Sequence, residues 1–341
     1  FSVQCARTSL EYNGSTLNSL FAQRRNLLRP GFHRMIRDIL RFNREALTLL
    51  ENDNPNLTLA GYLREGSYSR EFIEHYLIPM GAAIWSATPD LMREMPAQFF
   101  IRFFHNHGLL TLKDRPTWRV ISGGSQRYVE KLTAGHADRI RLRTPVRKIV
   151  RTPMSVTVHT DDAAAESFDY VFLACHSDQA LAILEEAAPA ESQVLGSIPY
   201  QANTAVLHTD QSLMPRNRRA WGAWNYLLPD DAQDGVAVTY HLNRLQGLST
   251  AKQYFVTLNS DERIRPECII RRMSYDHPVF TGESVAAQAR QQELNGVNRT
   301  FFCGAYWRNG FHEDGVVSAL NALEDFKTVQ INEERYFQRA S

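Results

Sequence analysis

Apolar residues recur at helical spacing over the first third of the chain and at a spacing of two further on. Between Phe32 and Leu50, the apolar positions Met35, Ile36, Ile39, Leu40, Phe42, Leu47 and Leu50 predict a helix, which Asp53-Asn54-Pro55-Asn56 breaks. Shorter helices are predicted over Leu59–Tyr62 and Ser69–Ile78, and an aromatic-rich one over Pro96–His107. Residues 1–115 therefore read as mostly helical. The texture changes near Thr117: Trp118–Ile121 reads as a strand, Gly123-Gly124 as a tight turn and Ser125–Ala134 as a helix. Strands are expected over Arg139–Leu142, Val146–Val150, Val156–Thr160 and Tyr170–Cys175, the last leading into a helix over 177–186. From about 198 to 280 the alternation of period two predicts an antiparallel sheet, as in Thr204–His208, Val236–Tyr240 and Tyr254–Leu258. One more apolar strand over 300–304, a glycine-containing turn at 310–315 and a helix from Val316 to Gln330 end the pattern.

A length of 341 residues allows two domains, and a net charge of +1 gives no reason to expect a nucleic-acid partner. No run approaches the ~18 consecutive apolar residues of a membrane span. Cys5, Cys175, Cys268 and Cys303 are scattered without metal-ligand spacing, so no metal is expected. They read as free thiols of a cytoplasmic protein. The opening Phe1-Ser2-Val3-Gln4-Cys5 has neither an initiator Met nor a signal pattern, and reads like the middle of a longer protein.

Three segments carry chemistry. The first, Arg119-Val120-Ile121-Ser122-Gly123-Gly124-Ser125, is a turn whose paired glycines could admit a ligand or could simply join strand to helix. The second runs from Arg139 through Thr144-Pro145-Val146-Arg147-Lys148-Ile149 and Val156-Thr157-Val158 to Phe168-Asp169-Tyr170-Val171-Phe172-Leu173-Ala174-Cys175. The third is Arg299-Thr300-Phe301-Phe302-Cys303-Gly304-Ala305-Tyr306 with Gly310-Phe311-His312-Glu313-Asp314-Gly315-Val316-Val317-Ser318. There a strand brings glycine backbone to one place and a helix start brings unpaired N–H groups and partial positive charge. Asp314 reads as an N-cap.

In this order the segments resemble the flavin amine oxidase and phytoene desaturase superfamily of FAD-dependent oxidoreductases. The resemblance spans the chain, although the 1–115 helices and the 198–280 sheet match in architecture alone. It implies a mixed α/β protein with the FAD/NAD(P)-binding fold of amine-oxidase type. The FAD-binding domain would comprise 118–190 and 296–331, and a helical plus antiparallel-sheet substrate domain would comprise 1–117 and 191–295. It further implies FAD contacts at Val146, Gly304, Ala305, Gly315 and Val316. Ala305 departs from the acidic residue usual there, so that side-chain contact is lost. None of the 18 glycines forms the G-x-G-x-x-G that cradles the ADP half of a dinucleotide, and the N-terminal βαβ unit is expected upstream of Phe1.

The implied reaction passes a hydride from a C–N or C–C bond of an apolar or lipid-like substrate to flavin N5. Trp85, Tyr226, Tyr306 and Trp307, with His241 and His277, are candidate pocket residues, and for each aromatic a core position explains the residue equally well. No catalytic residue is assigned; Lys252 is the single lysine of the later sheet and matches no motif. A non-catalytic flavin- or lipid-binding module is the alternative, suggested by Ala305. His105-Asn106-His107 spells a nuclease tripeptide but lies in a helical aromatic stretch without a second His/Asp cluster.

Overall fold

Strand alternation, wherever a partner strand is available, decides the layout of the chain. The computed structural model describes every residue except 52–53, 113–115, 118, 162–163, 230–236, 341 and the side chains of 333–340. Two four-residue strands, β1 (Ser2–Cys5) and β2 (Leu10–Asn13), come first. Four short strands follow the helical region: β3 (Val146–Arg151), β4 (Val156–Thr160), β5 (Glu166–Phe168) and β6 (Val171–Leu173). Then come β7 (Tyr200–His208), β8 (Trp224–Leu228), β9 (Ala237–His241), β10 (Phe255–Leu258) and β11 (Ile269–Pro278). The last, β12 (Thr300–Phe302), precedes a long helix, His312–Ala340.

The chain forms two units, one of Phe1–Ala134 with Gln201–His277 and one of Gly135–Tyr200 with Pro278–Ser341. The sequence-based borders were 118, 191 and 296.

The first unit holds a seven-stranded sheet of order β11-β7-β10-β9-β8-β1-β2. Its β7–β10–β9–β8 part is antiparallel, as the alternation predicts. β1 and β2 are a correction, because residues 1–115 were expected to be mostly helical. β1 adds in parallel to β8, with Val3 opposite Tyr226, and β2 closes that edge. The helices are otherwise near their expected places, as Pro30–Glu45, Leu59–Glu65 and Ala97–Asn106. Between them Arg70–Phe72, a π-turn at Ile73–Leu77 and Ile78–Trp85 run on continuously. The reason is Pro79, which has no N–H for the carbonyl one turn back. That carbonyl belongs to His75, and the Tyr12 hydroxyl of β2 donates to it at 2.6 Å. Phe42, Tyr62, Tyr68 and Phe72 form one aromatic cluster in these helices, and Trp85, Phe99, Phe100 and Phe103 another. His107 ends its helix by pairing Nδ1 with the Phe103 carbonyl at 2.8 Å.

One buried network in this sheet makes stability depend on pH. Nδ1 of His208 accepts from the Asp210 amide at 3.1 Å, so Nε2 carries the proton and donates to Thr257 Oγ1 at 2.7 Å. Burial pushes the His208 imidazolium down to about 4, with the Asp210 charge opposing it. The unfolded chain takes up this proton near the ordinary value of 6.5, and the folded chain resists it until about 4. Stability therefore falls as pH drops through that window, on the order of 2–3 kcal/mol from this residue. Below it, Asp210 continues the loss: burial alone raises its carboxyl, but hydrogen bonds from Arg265 and Ser212 hold it well below the usual range. Urea unfolding at pH 7 and pH 4.5 is expected to show a smaller pH-dependent loss for His208→Gln than for the parent. Equal losses would refute the assignment.

In the second unit β3-β4-β5 form an antiparallel sheet, and β6 pairs in parallel with β12, Phe172 opposite Phe301. The expected proximity of the 170–175 and 300–304 runs is thus a direct ladder. Two expected strands are absent: Arg119–Ile121 and Arg139–Leu142 pair with no strand among the described residues, and Trp118 lies outside them. Both runs have strand-like residues, but strand conformation needs a ladder to satisfy the backbone. Gly123-Gly124 does turn, with φ of +82° and +89°, and the helix after it is Gln126–Thr133.

Candidate functional site

The carboxyl ends of parallel strands and the start of a helix are the two places where backbone groups are left for a ligand. The second unit places them together. β6 leaves through Ala174-Cys175-His176 and β12 through Cys303-Gly304-Ala305, and the Cys303 amide still donates to the Leu173 carbonyl at 3.0 Å. After a short turn the long helix begins at His312, four residues before the expected start at Val316. Its geometry explains the difference. Asp314 does not cap from outside but accepts from the Phe311 amide at 3.0 Å from within the first turn. The Gly315 amide already closes a helical bond to the Phe311 carbonyl at 3.1 Å. The amides ahead of the first intrahelical bond therefore belong to residues before Gly315, such as Glu313 and Asp314.

Ser318 ties the strand exit to the helix. Its hydroxyl accepts from the Gly304 amide at 2.8 Å and donates to the Gly315 carbonyl at 2.8 Å. Gly315 faces this junction. A Cβ there would lie 3.9 Å from the Ala305 nitrogen, an ordinary contact, and would meet no other atom within 4 Å. Glycine in a helix interior costs about 1 kcal/mol relative to alanine, and no clash within the chain accounts for it here. The chain itself leaves room beside Ala305 for such a carbon. Gly304 differs: a Cβ on it would come within 2.4 Å of the Tyr306 ring, so the local packing itself demands glycine.

Val146, Gly304, Ala305, Tyr306, Trp307, Gly315 and Val316 all lie in the second unit; Trp85 and Tyr226 lie in the first. Val146 is the exposed first residue of β3 and Val316 is half exposed. Tyr306 and Trp307 fold inward, their rings 5.0 Å apart, into a core that includes Leu173, Leu195, Phe302 and Tyr200. Among the described residues, neither the Tyr306 hydroxyl nor the Trp307 Nε1 has a hydrogen-bond partner beyond their contact with each other. Burial holds the Tyr306 phenol protonated, well above its ordinary range. Trp85 is buried against Phe103 at 4.7 Å, and Tyr226 is buried on β8. Lys252 is exposed on a turn, and His277 meets Asn203 at 3.2 Å.

Sequence reasoning singled out no role for Cys175, His176, Tyr200 or Ser318. His176 stacks on Tyr200 at 4.5 Å, and the Tyr200 hydroxyl accepts from the Ser177 amide at 2.9 Å. The usable signal was the position directly after an apolar strand. Burial pushes the Cys175 and Cys303 thiols up, so neither is a thiolate nucleophile near neutral pH. All four cysteines are free, and among the described residues no His/Cys/Asp/Glu group is placed to hold a metal.

A family model described as flavin containing amine oxidoreductase matches residues 4–263. No curated protein matches the sequence. Among solved structures, wild-type putrescine oxidase bound to putrescine is similar at 13% identity, over 96% of this chain and 80% of that one, with a TM-score of 0.62. Cyclohexylamine oxidase from Brevibacterium oxydans IH-35A is 14% identical over 96% and 80%, with a TM-score of 0.62. The CLA-producing fatty acid isomerase of P. acnes is 14% identical over 96% and 78%, with a TM-score of 0.63. At these identities the structural likeness shows the fold.

Proposed function

This chain belongs to the family of flavin containing amine oxidoreductases, and from that premise we propose that it oxidises an apolar organic or lipid-like substrate by removing hydride from a C–N or C–C bond. FAD is the family's cofactor; when bound it supplies N5 as the hydride acceptor. The observation that carries the reading is the open junction at Ala305 and Gly315, set where β6 and β12 end beside a helix start. Residues there fit such a group. Ala305 would offer its backbone N–H to the cofactor, while the expected Gly304 contact is limited to close approach because its amide already donates to Ser318 and its carbonyl accepts from Trp307. Gly315 leaves room, and the first helical turn, which precedes Val316, would face the cofactor with positive dipole character. Val146 would add backbone from the start of β3. Ser318 holds strand exit and helix in register. Ala305 contributes no charge, so binding here relies on backbone and shape. Both thiols of this junction stay protonated near neutral pH because burial raises them, so neither acts as a proton acceptor there.

Purified holoprotein mixed anaerobically with alkyl amines, cyclic amines and long-chain unsaturated fatty acids tests the reading. At least one of these should bleach the flavin visible band. Bound flavin that none of them reduces would sink the oxidase reading and favour a flavin- or lipid-binding module.

A further inference from the structure

Among the described residues β12 is laddered on one edge only, against β6. Cys303 turns its amide to that ladder, so the alternation of strand backbone turns Thr300, Phe302 and Gly304 the other way. Groups on such an edge need partners once they are buried. Here loop and side-chain groups supply them. The Thr300 carbonyl accepts from the Gly296 amide at 2.9 Å. The Phe302 amide donates to Asn295 Oδ1 at 2.8 Å, and the Phe302 carbonyl accepts from Gln291 Nε2 at 2.9 Å. The Gly304 amide is the one held by Ser318.

Gln291 does more than close this edge. It is 7% exposed and starts the helix Gln291–Leu294. Its Nε2 carries two hydrogens, and the second goes to the Ser318 carbonyl at 3.2 Å. One planar amide therefore bridges the last carbonyl of β12 and a carbonyl in the opening turns of the long helix. Gln288, at the end of the helix Gly282–Gln288, holds the turn between them in the same way, donating to the Tyr306 carbonyl at 2.8 Å and to the Arg308 carbonyl. Asn295 fixes the body of the long helix, with Nδ2 on Asp325 Oδ2 at 2.7 Å. Without the Gln291 hydrogens, two partly negative oxygens would face one buried gap, at a cost that moving the helix start away from the strand end relieves.

We propose that Gln291 is a positioning residue for the flavin: it sets the distance between the β12 exit and the helix start, and with it how closely the positive end of the helix approaches the cofactor. The proposal rests on the flavin reading of this junction. Flavin gains negative charge on two-electron reduction, so the helix end favours the reduced form over the oxidised one. A helix start that has moved away from the strand end favours it less. Gln291 thereby tunes how readily the flavin accepts hydride, acting through the Phe302 and Ser318 carbonyls.

Redox titration of the bound flavin in the holoprotein, with flavin content and melting temperature measured beside it, tests the proposal. Gln291→Leu keeps the bulk and removes both donations. It should lower the preference for reduced over oxidised flavin at least tenfold, a fall of about 30 mV in the two-electron midpoint potential. Should that protein fail to fold, Gln291→Asn is the second variant: one methylene shorter, it keeps an amide that cannot span both carbonyls, and it should move the potential the same way by at least threefold in that ratio. Val194→Ala, fully buried in the core of the same unit, should lower the melting temperature and leave the potential unchanged. An equal shift in Val194→Ala would mean that the potential follows general loosening, and would overturn the role of Gln291. An unchanged potential in the Gln291 variant, where Gly315→Leu does reduce flavin content, would overturn it while leaving the flavin at this junction. Flavin that responds to neither residue lies elsewhere, and then both readings fall.

Discussion

Glu191→Ala is expected to destabilise the second unit by about 3–5 kcal/mol, the usual cost of leaving one member of a buried ion pair alone. The Arg151 and Glu191 side chains are 4% and 1% exposed. They meet in a two-pronged contact, Nη1 to Oε1 at 2.6 Å and Nη2 to Oε2 at 2.8 Å. Glu191 also accepts from the Ala188 amide at 2.7 Å, starting the helix Pro189–Gly196. Arg151, at the end of β3, further donates to Thr300 Oγ1 at 3.3 Å and to the Glu186 carbonyl. The pair thus joins β3, the start of β12 and a helix of the core. Removing the carboxylate strands a desolvated guanidinium and uncaps the helix. The pair as a whole contributes far less than its rupture costs, because both charges had to leave water. Arg151→Met with Glu191→Leu should therefore recover most of the loss. Hydrogen exchange of peptides covering 146–200 is the readout, since it reports this unit alone. A loss below about 1 kcal/mol for Glu191→Ala would show that water reaches the pair.

The second large effect is expected at Gly315, where stability and cofactor binding should move in opposite directions. Leucine is a better helix former than glycine, by up to about 1 kcal/mol. The chain itself leaves room for the first carbon of the side chain. Gly315→Leu should accordingly keep or raise the melting temperature of flavin-free protein. The same side chain would fill the space beside Ala305 that the proposed cofactor site needs. Flavin content after purification and reconstitution should fall at least tenfold. Gly315→Ala should show an intermediate loss, and Glu324→Ala, exposed further along the same helix, should show none. Unchanged flavin content in Gly315→Leu would remove the reason for placing the cofactor at this junction. A drop in melting temperature together with flavin would mean that the glycine serves packing.

The elements were legible where their pattern was long. The helix Pro30–Glu45 shows a repeated apolar stripe, and β7, β9 and β10 alternate over a full strand. β1 and β2 also alternate, as Ser-Val-Gln-Cys and Leu-Glu-Tyr-Asn, but four residues are too few to distinguish a strand from chance. What makes β2 a buried strand is distant. Glu11 accepts from the Arg216 and Asn217 amides at 2.9 Å each, and Tyr12 serves the carbonyl that Pro79 leaves open.

The sequence by itself determined that a strand, a glycine turn and a helix follow one another from Thr300, because those preferences are local. It also determined the period-two sheet and the family resemblance that the 4–263 match bears out. Only the tertiary structure decided that β12 lies beside β6, that Phe311 rather than Asp314 precedes the helix, and that Gly315 faces open space. The same is true of the Arg151–Glu191 pair, forty positions apart, and of the Gln291 bridge between Phe302 and Ser318. Hydrophobic periodicity and turn chemistry act between neighbours along the chain. Ladder partners, buried charges and side-chain bridges depend on which segments meet in space, and no local pattern records that.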